Sequence, residues 1–106
     1  MGKKKCYVSG KISGLPWGEV ERNFSSAVLR VFRLGMTPVS PLNNGMPRWM
    51  PWIVHMVVDV INLLRCSAVA MQGNWIDSQG AKIEYWVAKK TGKEIIFLED
   101  WGCFAD

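Results

Sequence analysis

The chain has 106 residues, enough for one compact domain with a continuous core and too few for two. Hydrophobic residues make up 49% and charged ones 21%, which excludes a disordered or fibrous chain. The formal net charge is +4, but three of the basic residues are a terminal run, Lys3, Lys4 and Lys5, and others are scattered, with no basic stripe interleaved with aromatics; they describe a solvated surface suited to an anionic small molecule, not a polynucleotide track.

Along the chain, short β-like runs alternate with helical ones. "KCYVSG" reads as a first strand, Lys5 to Ser9, ended by Gly10 and a loop with Ser13, Gly14 and Pro16. "EVERNFSSAVLRVFRLG" carries Val20, Phe24, Ala27, Val28, Val31 and Leu34 at helical spacing with Gly35 as its stop, a first crossover helix. "MTPVS" is a short strand that Pro38 demotes to the sheet edge, because proline has no N–H to donate. The loop "PLNNGMPRW" precedes a second helix from about Met50 to Arg65, with Pro51 in its first turn. "SAVAM", Ser67 to Met71, is a buried third strand, and "QGNWID" leads to a third helix from Ser78 to about Thr91, closed by Gly92. "EIIFL", Glu94 to Leu98, is the fourth strand and "EDWGCFAD" a tail.

Connections this short in a βαβαβαβ order imply parallel strands and right-handed crossovers. The expected fold is α/β: one domain over residues 1–106, doubly wound, a flavodoxin-like or Rossmann-like open parallel sheet of about four strands with three main helices. Ligands of such sheets sit beyond the carboxyl ends of the strands, at the switch point of strand order.

Cys6, Cys66 and Cys103 are odd in number and far apart, with no C-x-x-C and a single histidine, a pattern of reduced thiols in a cytosolic protein rather than a zinc site. The most apolar stretch, "MPWIVHMVVDVINLL", is interrupted by His55, Asp59 and Asn62 and is shorter than a membrane span. The opening residues lack the apolar segment and cleavage site of a secretory signal, so a cytoplasmic location is expected.

The switch-point rule gathers Ser9, Gly10, Lys11, Ser13 and Gly14 after the first strand with Asn74, Asp77 and Ser78 after the third. Ser78 at the mouth of the third helix reads either as an N-cap or as part of an anion site. Glu84 shares a helical stripe with Gly80, Ala81, Val87 and Ala88, residues suited to close approach. It lies about 9 Å along the axis from Ser78, comparable to a sugar 5'-phosphate. Two readings stay open: a rim carboxylate paired with a lysine, or one kept at the crevice floor for chemistry. His55, Asp59 and Asn62 likewise form one polar line on the second helix, either its solvent edge or a crevice wall. Were both to face the crevice, Asp59 and Glu84 would make a carboxylate pair able to divide the roles of nucleophile and proton handler.

The segments "YVSGKISG", "DVINLLRCSAVAM" and "DSQGAKIEYWVAKKTGKEIIF" resemble the nucleoside 2-deoxyribosyltransferase-like superfamily, above all in the S-x-G-A-x-x-E run from Ser78 to Glu84. They are especially similar to its small bacterial and phage-associated members and the related deoxynucleoside 5'-monophosphate N-glycosidases. The resemblance implies an enzyme that cleaves or transfers the N-glycosidic bond of a nucleoside or nucleotide. It implies Glu84 as the nucleophile and Asp59 as the residue that orients the sugar and handles the leaving base's proton. Ser78, Gly80, Asp77 and the loop with Ser9, Gly10, Lys11, Ser13 and Gly14 would bind substrate, with Tyr7 as an aromatic nearby. Phosphate-specific relatives carry an arginine where this chain has Ser13, so nucleosides and nucleotides both remain candidate substrates. Trp17, Trp49, Trp52 and Trp75 are each candidates either to stack on a base or to belong to the core or an interface. No metal or cofactor is implied. A homo-oligomer, dimer or higher, is, with Trp49, Trp52 and Met56 as its interface. A nucleotide-binding protein without turnover and a purely structural oligomer are the alternatives.

Overall fold

The computed structural model describes residues 3–43 and 47–98, so the tail "EDWGCFAD", with Cys103, and part of the loop before the second helix lie outside the described residues. The elements run β1 (Lys5–Ser9), α1 (Trp17–Arg33), β2 (Thr37–Val39), α2 (Trp52–Leu64), β3 (Ala68–Met71), α3 (Gln79–Lys90) and β4 (Glu94–Phe97), with single 3-10 turns at Pro41–Asn43 and Trp75–Asp77. The strands form one sheet in the order β2-β1-β3-β4, every pairing parallel. This is the doubly wound α/β architecture that the alternation of elements implies. The chain steps outward from β1 to β2, then back across β1 to β3, which puts the switch point between β1 and β3.

The two central strands are buried on both faces, and their side chains alternate between two cores. Cys6, Val8, Ala68 and Ala70 meet Val20, Phe24, Ala27 and Val31 of α1. On the opposite face, Tyr7, Val69 and Met71 meet Leu63 of α2 and Ala81 and Ala88 of α3. The period of two in β1 therefore sends Tyr7 and Ser9 to the side that α2 and α3 cover.

Local rules explain the ends. After α1, Gly35 sits at φ 89, its N–H donates to the Phe32 carbonyl, and the Met36 N–H donates to that of Val31. Gly92, at φ 73, closes α3 in the same way, with the Lys93 N–H donating to the Ala88 carbonyl at 2.9 Å. β2 is short and at the sheet edge, with Pro38 opposite Cys6.

α2 starts later than the sequence pattern indicates. Pro51 is its N-cap, with an extended ψ of 148, and its carbonyl accepts from the N–H groups of Val54 and His55. A residue before proline is driven out of the helical region, so Met50 cannot join the first turn.

α2 also departs from the usual sidedness of a surface helix, with polar residues beside the apolar ones on its inner face and an apolar row outside. Met56, Asp59 and Leu63 are buried and His55 and Asn62 half-buried, while Ile53, Val57 and Ile61 lie exposed, Ile53 at 60%. The polar line is therefore not a solvent edge. Met56 is buried on the inner side, which removes it from any outward interface. No helix among the described residues is long and apolar enough to cross a membrane.

Candidate active site

The placement of Glu84 begins with the cap of α3. The Ser78 hydroxyl oxygen accepts from the Ala81 N–H at 3.1 Å, the N-cap geometry, and this sets the phase that turns Ala81, Glu84 and Ala88 inward. Small residues on that face let the helix sink onto the sheet and against α2. At Gly80 a Cβ would stand 3.1 Å from the Met56 sulfur, so the missing side chain is what admits α2 so closely.

The carboxyl group thereby reaches β1. The Tyr7 hydroxyl donates to Glu84 Oε2 at 3.0 Å and the Ser9 hydroxyl to Oε1 at 2.5 Å. Both donors come from alternate residues of one strand and are fully buried, and Glu84 itself is 5% exposed. Burial dominates its protonation: the carboxyl is pushed up from 4.5 to about 7, the Ser9 hydrogen bond pulling down, the nearby Asp59 charge pushing up and the Tyr7 hydrogen bond pulling down. The Tyr7 hydroxyl moves well above its ordinary value, by burial first and the Glu84 charge second. In the folded protein desolvation outweighs both donors.

Glu84 opens onto a cavity of about 830 Å³ at the carboxyl ends of the strands. Asp59, buried on α2, lines the same cavity, as does His55 one turn before it. The His55 Nε2 is buried with no hydrogen-bond partner among the described residues. The two acids thus converge from separate helices on one hollow.

Of the other residues singled out in the sequence, Gly10, Ser13, Asp77, Ser78 and Gly80 line the cavity. Tyr7 and Ser9 lie behind Glu84, so they meet a ligand through its carboxylate rather than by their own surfaces. Lys11 and Gly14 are outside the lining: the Lys11 N–H donates to Asn74 Oδ1 at 3.0 Å, tying the first and third strand loops together, and Gly14, at φ 87, makes a turn that favours glycine. Trp17 and Trp52 line the cavity, Trp75 stacks with Tyr85 and Phe97 outside its lining, and Trp49 is exposed. Arg48 is a lining residue that the sequence does not mark, since it stands in a loop with no periodicity. Among the described residues no cluster of three or more His, Cys, Asp or Glu is placed to hold a metal ion.

The backbone is similar to that of a 2-desoxiribosyltransferase from Leishmania mexicana, with a TM-score of 0.66 at 16% sequence identity, over 91% of this chain and 64% of that one. The likeness establishes a shared fold, and this chain spans under two thirds of that protein's length. No curated protein matches the sequence. A sequence family described as "Domain of unknown function (DUF4406)" matches residues 4–97, the whole span from β1 to β4, and the chain belongs to that family.

Proposed function

We propose that this protein cleaves or exchanges the N-glycosidic bond of a nucleoside or nucleotide, with a 2'-deoxy sugar, through Glu84 as nucleophile. The observation that carries the reading is a buried carboxylate with both oxygens held by hydroxyl donors, facing a cavity with room for a nucleoside or nucleotide that a second buried acid shares. The fold it shares with a 2-desoxiribosyltransferase supports the same chemistry.

In this reading ionised Glu84 attacks the anomeric carbon as the bond to the base nitrogen breaks and its electron pair departs with the base. The oxocarbenium-like transition state gains attraction from the carboxylate beneath it. Tyr7 and Ser9 hold the nucleophile in one rotamer, which reduces the entropy lost on reaching the transition state. Asp59 orients the sugar and handles the proton of the leaving base. Ser78, Asp77, Gly80 and the Gly10 and Ser13 loop contact the remainder of the substrate. Water or a second base then resolves the glycosyl ester.

The test is chromatographic detection of free base from a panel of deoxynucleosides and their 5'-monophosphates. Release is expected with the wild type and a loss of at least about 1,000-fold in Glu84→Gln. Tight binding with every ligand recovered intact identifies a nucleotide-binding protein instead, and no thermal shift with any nucleotide leaves a structural role.

The exposed row Ile53, Val57 and Ile61 fits a second copy of the chain. It carries no charge, so two copies can meet across a two-fold axis without repulsion, and Trp52 at its head also lines the cavity, so the interface continues into the rim of the site.

A further inference from the structure

Among the cavity residues that take no part in the glycosidic step above are Trp17, the first residue of α1, and Arg48, in the segment before α2. The Arg48 guanidinium carbon stands 3.9 Å from the centre of the Trp17 ring. That separation lets the planar cation lie against the indole face, where attraction to the ring's electron cloud fixes its orientation.

The surroundings of the pair differ from those of Glu84. Ile12, Leu15, Trp17 and Leu42 all line the cavity and pack onto the α1-side core, whereas Glu84 reaches β1 from the α3 side. The cavity therefore has an acidic wall and an apolar, aromatic wall. Among its described lining residues Arg48 is the only lysine or arginine.

We infer that Trp17 and Arg48 form the subsite of the leaving base and that Arg48 selects a 6-oxopurine. Beside Ile12, Leu15 and Leu42 the side-chain donors among the described lining residues are Arg48 and the Ser13 hydroxyl, a sparse set for a phosphate dianion, while a flat heterocycle suits apolar walls. A guanidinium held over a ring keeps its N–H groups in its own plane, aimed at the edge of whatever lies beside it. The O6 and N7 acceptors of a 6-oxopurine stand side by side and match this fork with two hydrogen bonds. Adenine turns an amino donor toward the same edge, against a residue that can only donate. Thymine and uracil offer one carbonyl beside a C–H or methyl group, and cytosine offers an amino group.

The pair also acts on the bond that breaks. As Glu84 forms its bond to the anomeric carbon, the glycosidic electron pair moves onto the purine and spreads toward N7 and O6. Arg48 donors there stabilise the developing anion, and Asp59 handles the proton that the departing base takes up.

The subsite rests on the glycosidic reading for its kinetics but not for its binding, and the experiment separates the two. Rates of base release are compared for deoxyinosine, deoxyguanosine, deoxyadenosine, thymidine and deoxyguanosine 5'-monophosphate. The wild type is expected to favour the 6-oxopurines. Arg48→Ala is expected to lower kcat/KM on these by about 10- to 100-fold, with deoxyadenosine within a few-fold, and Arg48→Lys, a point charge without the fork, is expected not to restore it. Arg48 is exposed, so both variants keep the fold, which their melting temperatures check. An equal loss on every substrate, or a loss confined to the 5'-monophosphate, overturns the proposal. Independently of turnover, calorimetry on Glu84→Gln protein is expected to show hypoxanthine binding more tightly than adenine, the difference vanishing when Arg48→Ala is added. That result without base release from any substrate keeps the subsite and removes the glycosidic reading; base release without purine preference does the reverse.

Discussion

The carboxyl of Glu84 is pulled in opposite directions. Burial favours its neutral form most strongly, the hydroxyls of Ser9 and Tyr7 favour the anion, and Asp59 disfavours it, leaving the group near 7. A nucleophile has to be ionised, so kcat/KM is expected to rise with pH along an acid limb centred near 7. Ser9→Ala removes a donor that stabilises the anion, and the limb should move to higher pH. Asp59→Asn removes a like charge, and the limb should move to lower pH, whatever else it does to the rate. A pH–rate series on the two variants checks both directions. The same shift has a consequence for stability. Because the folded protein holds this proton to a higher pH than the unfolded chain, the contribution of Glu84 is full below about 4.5 and is lost as pH rises through about 7. Glu84→Gln is therefore expected to stabilise the protein at pH 8 by up to a few kcal/mol and to change little at pH 4, read from denaturant melts at both. The sequence singled out Glu84, a charge set among Gly80, Ala81 and Ala88, but left open whether it stood at the rim or on the crevice floor. Its bonds to Tyr7 and Ser9 were not legible there, because they join residues more than 70 positions apart and need β1 beneath α3.

The helices α1 and α3 obey local rules closely enough to be read from sequence, and their ends can be tested locally. Gly35 has a φ of 89 with nothing within 4 Å of an added Cβ, so Gly35→Ala meets strain but no collision. A cost of about 1 kcal/mol is expected in denaturant unfolding, with base release unchanged because α1 ends at the far end of the sheet from the cavity. The case of α2 is different. The polar line His55, Asp59 and Asn62 was visible as a periodicity, but periodicity assigns residues to one face without saying which way that face turns. The inward turn of this line follows from its neighbours: Leu63 and Met56 pack into the sheet-side core and against Gly80 of α3, and the acid and imidazole on the same side come with them. The late start at Trp52 shows a local rule, the restriction before Pro51, overriding an apolar pattern that ran through it.

Across the whole molecule, α2 joins the cavity to the outer surface, its Asp59 facing the one and its Ile53, Val57 and Ile61 the other. Among the described residues nothing covers its outward row, and burying such a row is favourable at about 25 cal/mol per Å². If a second copy covers it, Val57→Lys, which places a charge in the middle of the row, is expected to shift the protein to a smaller species in sedimentation velocity while leaving its monomeric fold intact, since Val57 is exposed. The alternation of strand and helix patterns determined the order of elements, the parallel sheet, the edge position of β2 and the end of the sheet at which a site would form, because these follow from short-range periods and from the handedness of connections. The convergence of Asp59 and Glu84, the withdrawal of Tyr7 and Ser9 behind the carboxylate, and the stacking of Arg48 on Trp17 were decided only by the tertiary structure. Each depends on the rotation of one packed element against another, and that rotation is set by the fit of side chains distant in sequence, which no local spacing encodes.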